Sequence, residues 1–142
     1  MMPLRVLVLT TSVCLIGTKF LDCYSTMIQL DKPEDELNPL GRAAINRVGK
    51  RATIWGVFLL VVIIVAIVGG TAYQQALGLL EDLEPNFIEV ITVWAYVILG
   101  LAIAGVQAAV AHTNWTGRDS LISRSVARVY RWGHGFKVSS PH

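Results

Sequence analysis

Residues 54–70 read IWGVFLLVVIIVAIVGG, seventeen positions without a charge and with leucine, isoleucine or valine at most of them. That length of apolar chain matches the hydrocarbon core of a bilayer, which takes about 20 residues of helix to cross. Two further runs flank it, from Val6 through Phe20 towards Leu30 and from Ile88 to Ala111. The expected fold class is therefore an all-α integral membrane protein with three transmembrane helices, at about residues 4–28, 53–77 and 88–111. The whole of 1–142 reads as a single membrane domain. A basic loop (31–51) follows the first span and a basic amphipathic tail (116–142) follows the third.

Composition agrees with this. Of 142 residues 54% are hydrophobic and 15% charged, and mean hydropathy is +0.55. Three spans leave no stretch long enough for a soluble domain. The two cysteines, Cys14 and Cys23, fall about 13 Å apart on opposite faces of one helix, too far to bridge each other. They read as buried thiols. The start resembles a secretory signal, but Leu15 is followed by Ile16-Gly17-Thr18-Lys19-Phe20 rather than a small-x-small cleavage site, and no lipoprotein box precedes Cys23. The first run is expected to stay as an uncleaved span.

Charge sets the expected orientation. The 31–51 loop carries Lys32, Arg42, Arg47, Lys50 and Arg51, and the tail carries Arg118, Arg124, Arg128, Arg131 and Lys137. Residues 79–87 between the second and third spans carry no base and three acids, Glu81, Asp82 and Glu84. The positive-inside rule puts the loop and tail in the cytoplasm, or on the equivalent inner side of a virion membrane, and the N-terminus outside.

The first span is the unusual one, because Lys19 and Asp22 lie within it and charge is expensive there. Lys19, Asp22, Ser25 and Thr26 recur at helical spacing on one stripe. Lys19 can pair with Asp22, and Thr26 can donate its hydroxyl to the Asp22 carboxylate. Asn38 before Pro39 has the signature of a helix start, and a helix from there would present Leu40, Ala43, Ala44 and Val48 along the interface.

The pattern Asp22-x-x-Ser25-Thr26, then Glu36-x-Asn38-Pro39, resembles an uncharacterised family of small prokaryotic multi-span membrane proteins, a domain of unknown function. The resemblance covers about residues 15–50. The chain departs from the family's pattern in Lys19 and in the added acids Glu34 and Asp35. It implies a set of residues worth testing and no activity. Lys19, Asp22, Ser25, Thr26, Glu36, Asn38 and Pro39 read first as a structural latch that holds the loop against the first helix. Their second reading is a polar site for a proton, cation or head group.

Small residues at four-residue spacing, Ala66 and Gly70, then Gly100, Ala104 and Ala108, are expected to let helices pack closely. The second and third spans form an antiparallel hairpin. Their acidic connection lacks the spacing of a calcium loop, and His112, His134 and His142 lack metal-ligand spacing. No metal and no cofactor is expected. Gln107 and His112 could join a relay with Asp22. Asn114-Trp-Thr116 matches the glycosylation sequon but falls on the inner side, which discounts it.

In the tail, Leu121, Ile122, Val126, Val129 and Trp132 share half a helical wheel, and Arg124, Arg128 and Arg131 share the other. This reads as a C-terminal interfacial helix on anionic lipid head groups. Nucleic acid is the less favoured partner. The expected function is a structural or accessory membrane protein, bound to lipid and to other membrane subunits or to itself, in a cellular complex or a virion membrane. A transport or proton-relay element using Asp22 is the alternative. An enzyme comes last, since none of the common hydrolase or metalloprotease motifs occurs.

Overall fold

The computed structural model describes residues 4–30, 39–81 and 86–116, and for 39, 80 and 81 the backbone alone. Four helices make up the described chain: α1 (Leu4–Gln29), α2 (Pro39–Val48), α3 (Lys50–Glu81) and α4 (Phe87–Thr116). Three of them, α1, α3 and α4, are long and apolar enough to cross a membrane. At ~1.5 Å per residue they run to roughly 40–48 Å, more than the ~30 Å hydrocarbon core requires. The fourth helix is the short α2, between the first and second long helices, where Asn38-Pro39 pointed to a helix start. A C-terminal amphipathic helix is thus not the fourth described element. The tail expected to form it, with Arg124, Arg128, Arg131 and Trp132, lies outside the described residues.

Helix ends follow local chemistry. Gly49 takes φ +90° between α2 and α3, a left-handed conformation that costs other residues a Cβ clash. Its amide donates to Ile45 O at 2.9 Å, and its carbonyl accepts from Thr53 N at 3.1 Å. One helix ends and the next begins at this residue. The Asn86 side chain accepts from Ile88 N at 3.0 Å and caps α4 in the usual manner, with Glu89 in the first turn beside the positive dipole end. Threonine and serine hydroxyls inside the helices donate to the carbonyl four residues back, as Thr11 does to Leu7 (2.8 Å), Thr71 to Ile67 (2.9 Å) and Thr92 to Ile88 (2.8 Å). A hydroxyl satisfied in this way can face an apolar medium.

The packing centres on α1. It runs antiparallel to α3 and parallel to α4, and its contacts with these two outweigh those between α3 and α4. The expected α3–α4 hairpin therefore closes chiefly through α1. Val8, Ala72, Ala76, Val93 and Val97 form one buried cluster, and Leu15, Val65 and Ala104 another. Leu9, Val13, Ile28, Leu59, Ile63, Ile67, Ile98 and Leu101 stand outward and exposed. Apolar surface on that scale does not suit water.

Small residues decide how close the helices come. A Cβ on Gly100 would overlap the Thr11 methyl and come within 3.2 Å of Leu15 Cδ1. A Cβ on Gly69 would lie 2.6 Å from the Tyr96 hydroxyl and 2.8 Å from Ser12 Oγ. Gly100 and Ala104 are buried against α1, whereas Ala66, Gly70 and Ala108 face outward. On α3 the close approach is made by Gly69, with Val65, Ala72 and Ala76 along the same side.

Candidate functional site

Polar side chains on α1 meet partners on α4 at three levels. Near the start of α1 the Ser12 and Tyr96 hydroxyls are 2.7 Å apart. Further along, Thr18 Oγ1 lies 2.9 Å from Gln107 Oε1 and 2.7 Å from Cys14 O. One hydroxyl proton serves one acceptor, and the Gln107 amide turned over would donate to Thr18 in the other arrangement. At the far end Asn114 Nδ2 donates to both Ser25 Oγ and Thr26 Oγ1 at 3.3 Å. Residues 96, 107 and 114 step by eleven and seven, which keeps them on one face of α4.

That same end holds the charged pair. Lys19 Nζ donates to Asp22 Oδ2 at 2.7 Å, and the two side chains keep 17% and 16% of their exposure. The base precedes the acid along the helix, the weaker of the two orientations for helix stability. An ion pair of this kind adds little to folding on its own. Among the described residues Asp22 and Lys19 make no side-chain bond to another helix, so the pair does not itself tie the bundle together.

Both charges line a cleft of about 480 Å³ built from all four helices. Cys23, Thr26 and Gln29 of α1 and Leu30 just beyond it line the cleft, together with Thr53, Ile54 and Val57 of α3 and Val110 and Asn114 of α4. Gly41 and Ile45 of α2 complete its lining. Two contacts tie α1 to α3 beside the cleft. Lys50 Nζ donates to the Leu30 carbonyl, joining the start of α3 to the end of α1, where a cation complements the negative dipole end. The buried Cys23 thiol donates to Ile54 O at 3.8 Å, which occupies it structurally.

Aromatic rings surround α1 at this level. Phe20 stacks on Tyr24 (6.1 Å between centroids) and touches Trp55 (5.8 Å) and Phe58 (5.9 Å), while Tyr24 meets Trp115 at 6.3 Å. Tryptophan and tyrosine gather where a bilayer meets water. Tyr24, Trp55 and Trp115 stand at the level of the cleft.

Lys19, Asp22 and Thr26 share the cleft, and Lys19 pairs with Asp22. Ser25 turns instead into the α1–α4 contact, 1% exposed, with its hydroxyl donating to Asp22 O at 2.9 Å. The Thr26 hydroxyl accepts from Asn114 rather than donating to the Asp22 carboxylate. Glu36 and Asn38 lie outside the described residues, and Pro39 opens α2 with its side chain undescribed. Gln107 is bound to Thr18 and His112 stands exposed, so neither lines the cleft with Asp22.

Asn114 is the residue that sequence reasoning missed. It appeared only as a discounted sequon. The available signal was its place one helical face along from Gln107, on the end of α4 that the topology sets beside Asp22. Among the described residues no group of three His, Cys, Asp or Glu side chains could hold a metal ion. The site has donors and acceptors suited to binding, and its thiol is committed to a carbonyl. Neither a family model, a curated protein nor a solved structure significantly matches the chain.

Proposed function

We propose that this chain is a structural or accessory multi-pass membrane protein, working through helix packing within a larger membrane assembly. Its N-terminus lies outside, and the 31–51 loop and C-terminal tail lie inside on anionic lipid. The observation that carries the reading is the use made of the polar residues in α1. Ser12, Thr18, Ser25 and Thr26 each meet a side chain on α4, at separated levels with apolar Leu15 and Ala104 between them. Such bonds tie helices together; a relay would need a continuous file of groups. The outward apolar faces supply surface for lipid and for neighbouring subunits or a second copy.

Purification of the full chain in a gentle detergent, followed by mass spectrometry of what remains bound, tests the proposal. Stoichiometric membrane partners or a defined oligomer are expected. A monodisperse monomer without protein partners would overturn it. A second reading, transport or proton relay, is favoured by one feature, the position of Asp22 in the cleft. It predicts pH-dependent flux into liposomes that Asp22→Asn abolishes, whereas the accessory role predicts no flux from the wild-type chain.

A further inference from the structure

Lys19 and Asp22 satisfy one bond between them, at 2.7 Å. An ammonium has three donors and a carboxylate about four acceptor positions, so most of the pair's bonding capacity remains to be met. Among the described residues nothing else bonds to either charge. Both line the cleft, beside the Thr26 hydroxyl and the Asn114 amide, with Ile54 and Val57 forming an apolar arm. The chemistry on offer is therefore one positive charge, one negative charge, neutral hydrogen-bonding groups and a strip of hydrocarbon.

A ligand matching that set carries both charges and a chain. The geometry points to a zwitterionic phospholipid with a primary ammonium head group, a phosphatidylethanolamine, as the occupant of the cleft. Its ammonium meets Asp22, its phosphate meets Lys19 with the Thr26 hydroxyl beside it, and an acyl chain leaves along Ile54 and Val57. Binding an anion alone or a cation alone would leave a net charge among side chains that are largely buried, which is costly. Binding both charges on one molecule keeps the site neutral. The site is thereby selective for zwitterions over the anionic lipids that suit an arginine-rich surface.

Size and depth agree with this occupant. The ~480 Å³ volume falls among ordinary small-ligand sites. The ring belt of Tyr24, Trp55 and Trp115 sets the pair at the level where head groups lie. The inference requires that the helices span a bilayer and does not depend on an accessory role, so failure of either leaves the other standing.

The test uses the purified full chain in detergent, titrated with phosphatidylethanolamine, phosphatidylglycerol or soluble phosphoethanolamine and read by native mass spectrometry. Phosphatidylethanolamine is expected to be retained at least about tenfold better than phosphatidylglycerol, a difference of about 1.4 kcal/mol. Asp22→Asn should erase that preference. Val57→Trp, at a 44% exposed position, fills the apolar arm without touching the charges and should reduce lipid retention while leaving the protein monodisperse and helical. Equal retention of the two lipids, an unchanged preference in Asp22→Asn, or undiminished lipid retention in Val57→Trp overturns the proposal. Phosphoethanolamine bound as tightly as the lipid would retain the zwitterion chemistry and overturn the lipid as its source.

Discussion

The Ser12 hydroxyl and the Tyr96 phenol meet at 2.7 Å directly against the backbone of Gly69. One hydrogen bond between α1 and α4 thus sits against α3, and all three long helices meet at a single point. Interhelical hydrogen bonds in membranes average about 0.6 kcal/mol and reach about 1.7. A double-mutant cycle with Ser12→Ala and Tyr96→Phe is expected to give a coupling within that span, read by reversible unfolding in mixed micelles. Gly69→Ala should cost about 1–3 kcal/mol by overpacking, and less in the Tyr96→Phe background. Strict additivity would show that the three helices do not share this contact.

Gly100 allows a second, purely steric test. A Cβ there would overlap the Thr11 methyl, while one on Gly70 would meet nothing within 4 Å. Gly100→Ala is expected to lose about 1–3 kcal/mol, and Gly70→Ala to be neutral or gain up to about 1 kcal/mol from helix propensity. Thr11→Ser removes the methyl yet keeps the hydroxyl that bonds Leu7 O, so Gly100→Ala/Thr11→Ser should recover most of the loss. Thermal midpoints of the four proteins in one detergent decide the matter.

Breaking the charged pair should cost more from one side than from both. Lys19→Met leaves Asp22 charged without its partner, and Asp22→Asn leaves Lys19 so; the double variant leaves neither charge. With about a sixth of each side chain still exposed, each single change is expected to cost on the order of 1–2 kcal/mol. The double variant should then cost less than the sum of the two. Additive losses would mean that the two charges are solvated independently.

Gly49 holds φ +90° at the joint of α2 and α3. Gly49→Ala is expected to lose about 1–2 kcal/mol through the left-handed backbone, while Gly49→Asn loses less because asparagine tolerates that region better. Equal losses in the two variants, measured as unfolding midpoints, would place the cost elsewhere.

Reporter fusions test the orientation. Fusions after Val48 and after Thr116 are expected to report the cytoplasmic side and one after Leu79 the outer side. Moving the five bases of the 31–51 loop to residues 79–87 should invert or scramble that pattern. An unchanged pattern would show that charge asymmetry does not set the topology.

Much of this molecule was legible in its apolar runs because length and polarity alone determine whether a helix can cross a bilayer. The three long helices and the helix start at Pro39 follow from local composition and turn chemistry. The Lys19–Asp22 pair was equally readable, since three residues along a helix bring two side chains together whatever surrounds them. The small-residue rows were harder. Gly69 and Gly70 are neighbours in sequence, yet only Gly69 faces Ser12 and Tyr96, and spacing cannot say which of two adjacent glycines turns inward.

Asn114 shows the same limit at the site. Sequence by itself determined the three long apolar helices and the start of α2, where the charges fall, and that Asp22 lies near the end of α1 that leads to the basic loop. Only tertiary structure decided that Asn114, eighty-eight positions after Thr26, shares its cleft, and that Gln107 and His112 do not. Helical periodicity is a property of one segment, so it gives each side chain's bearing on its own helix. Which bearings face each other depends on the rotation and depth at which three helices lock, and that was settled by Gly69 and Gly100 meeting the side chains of α1 and α4.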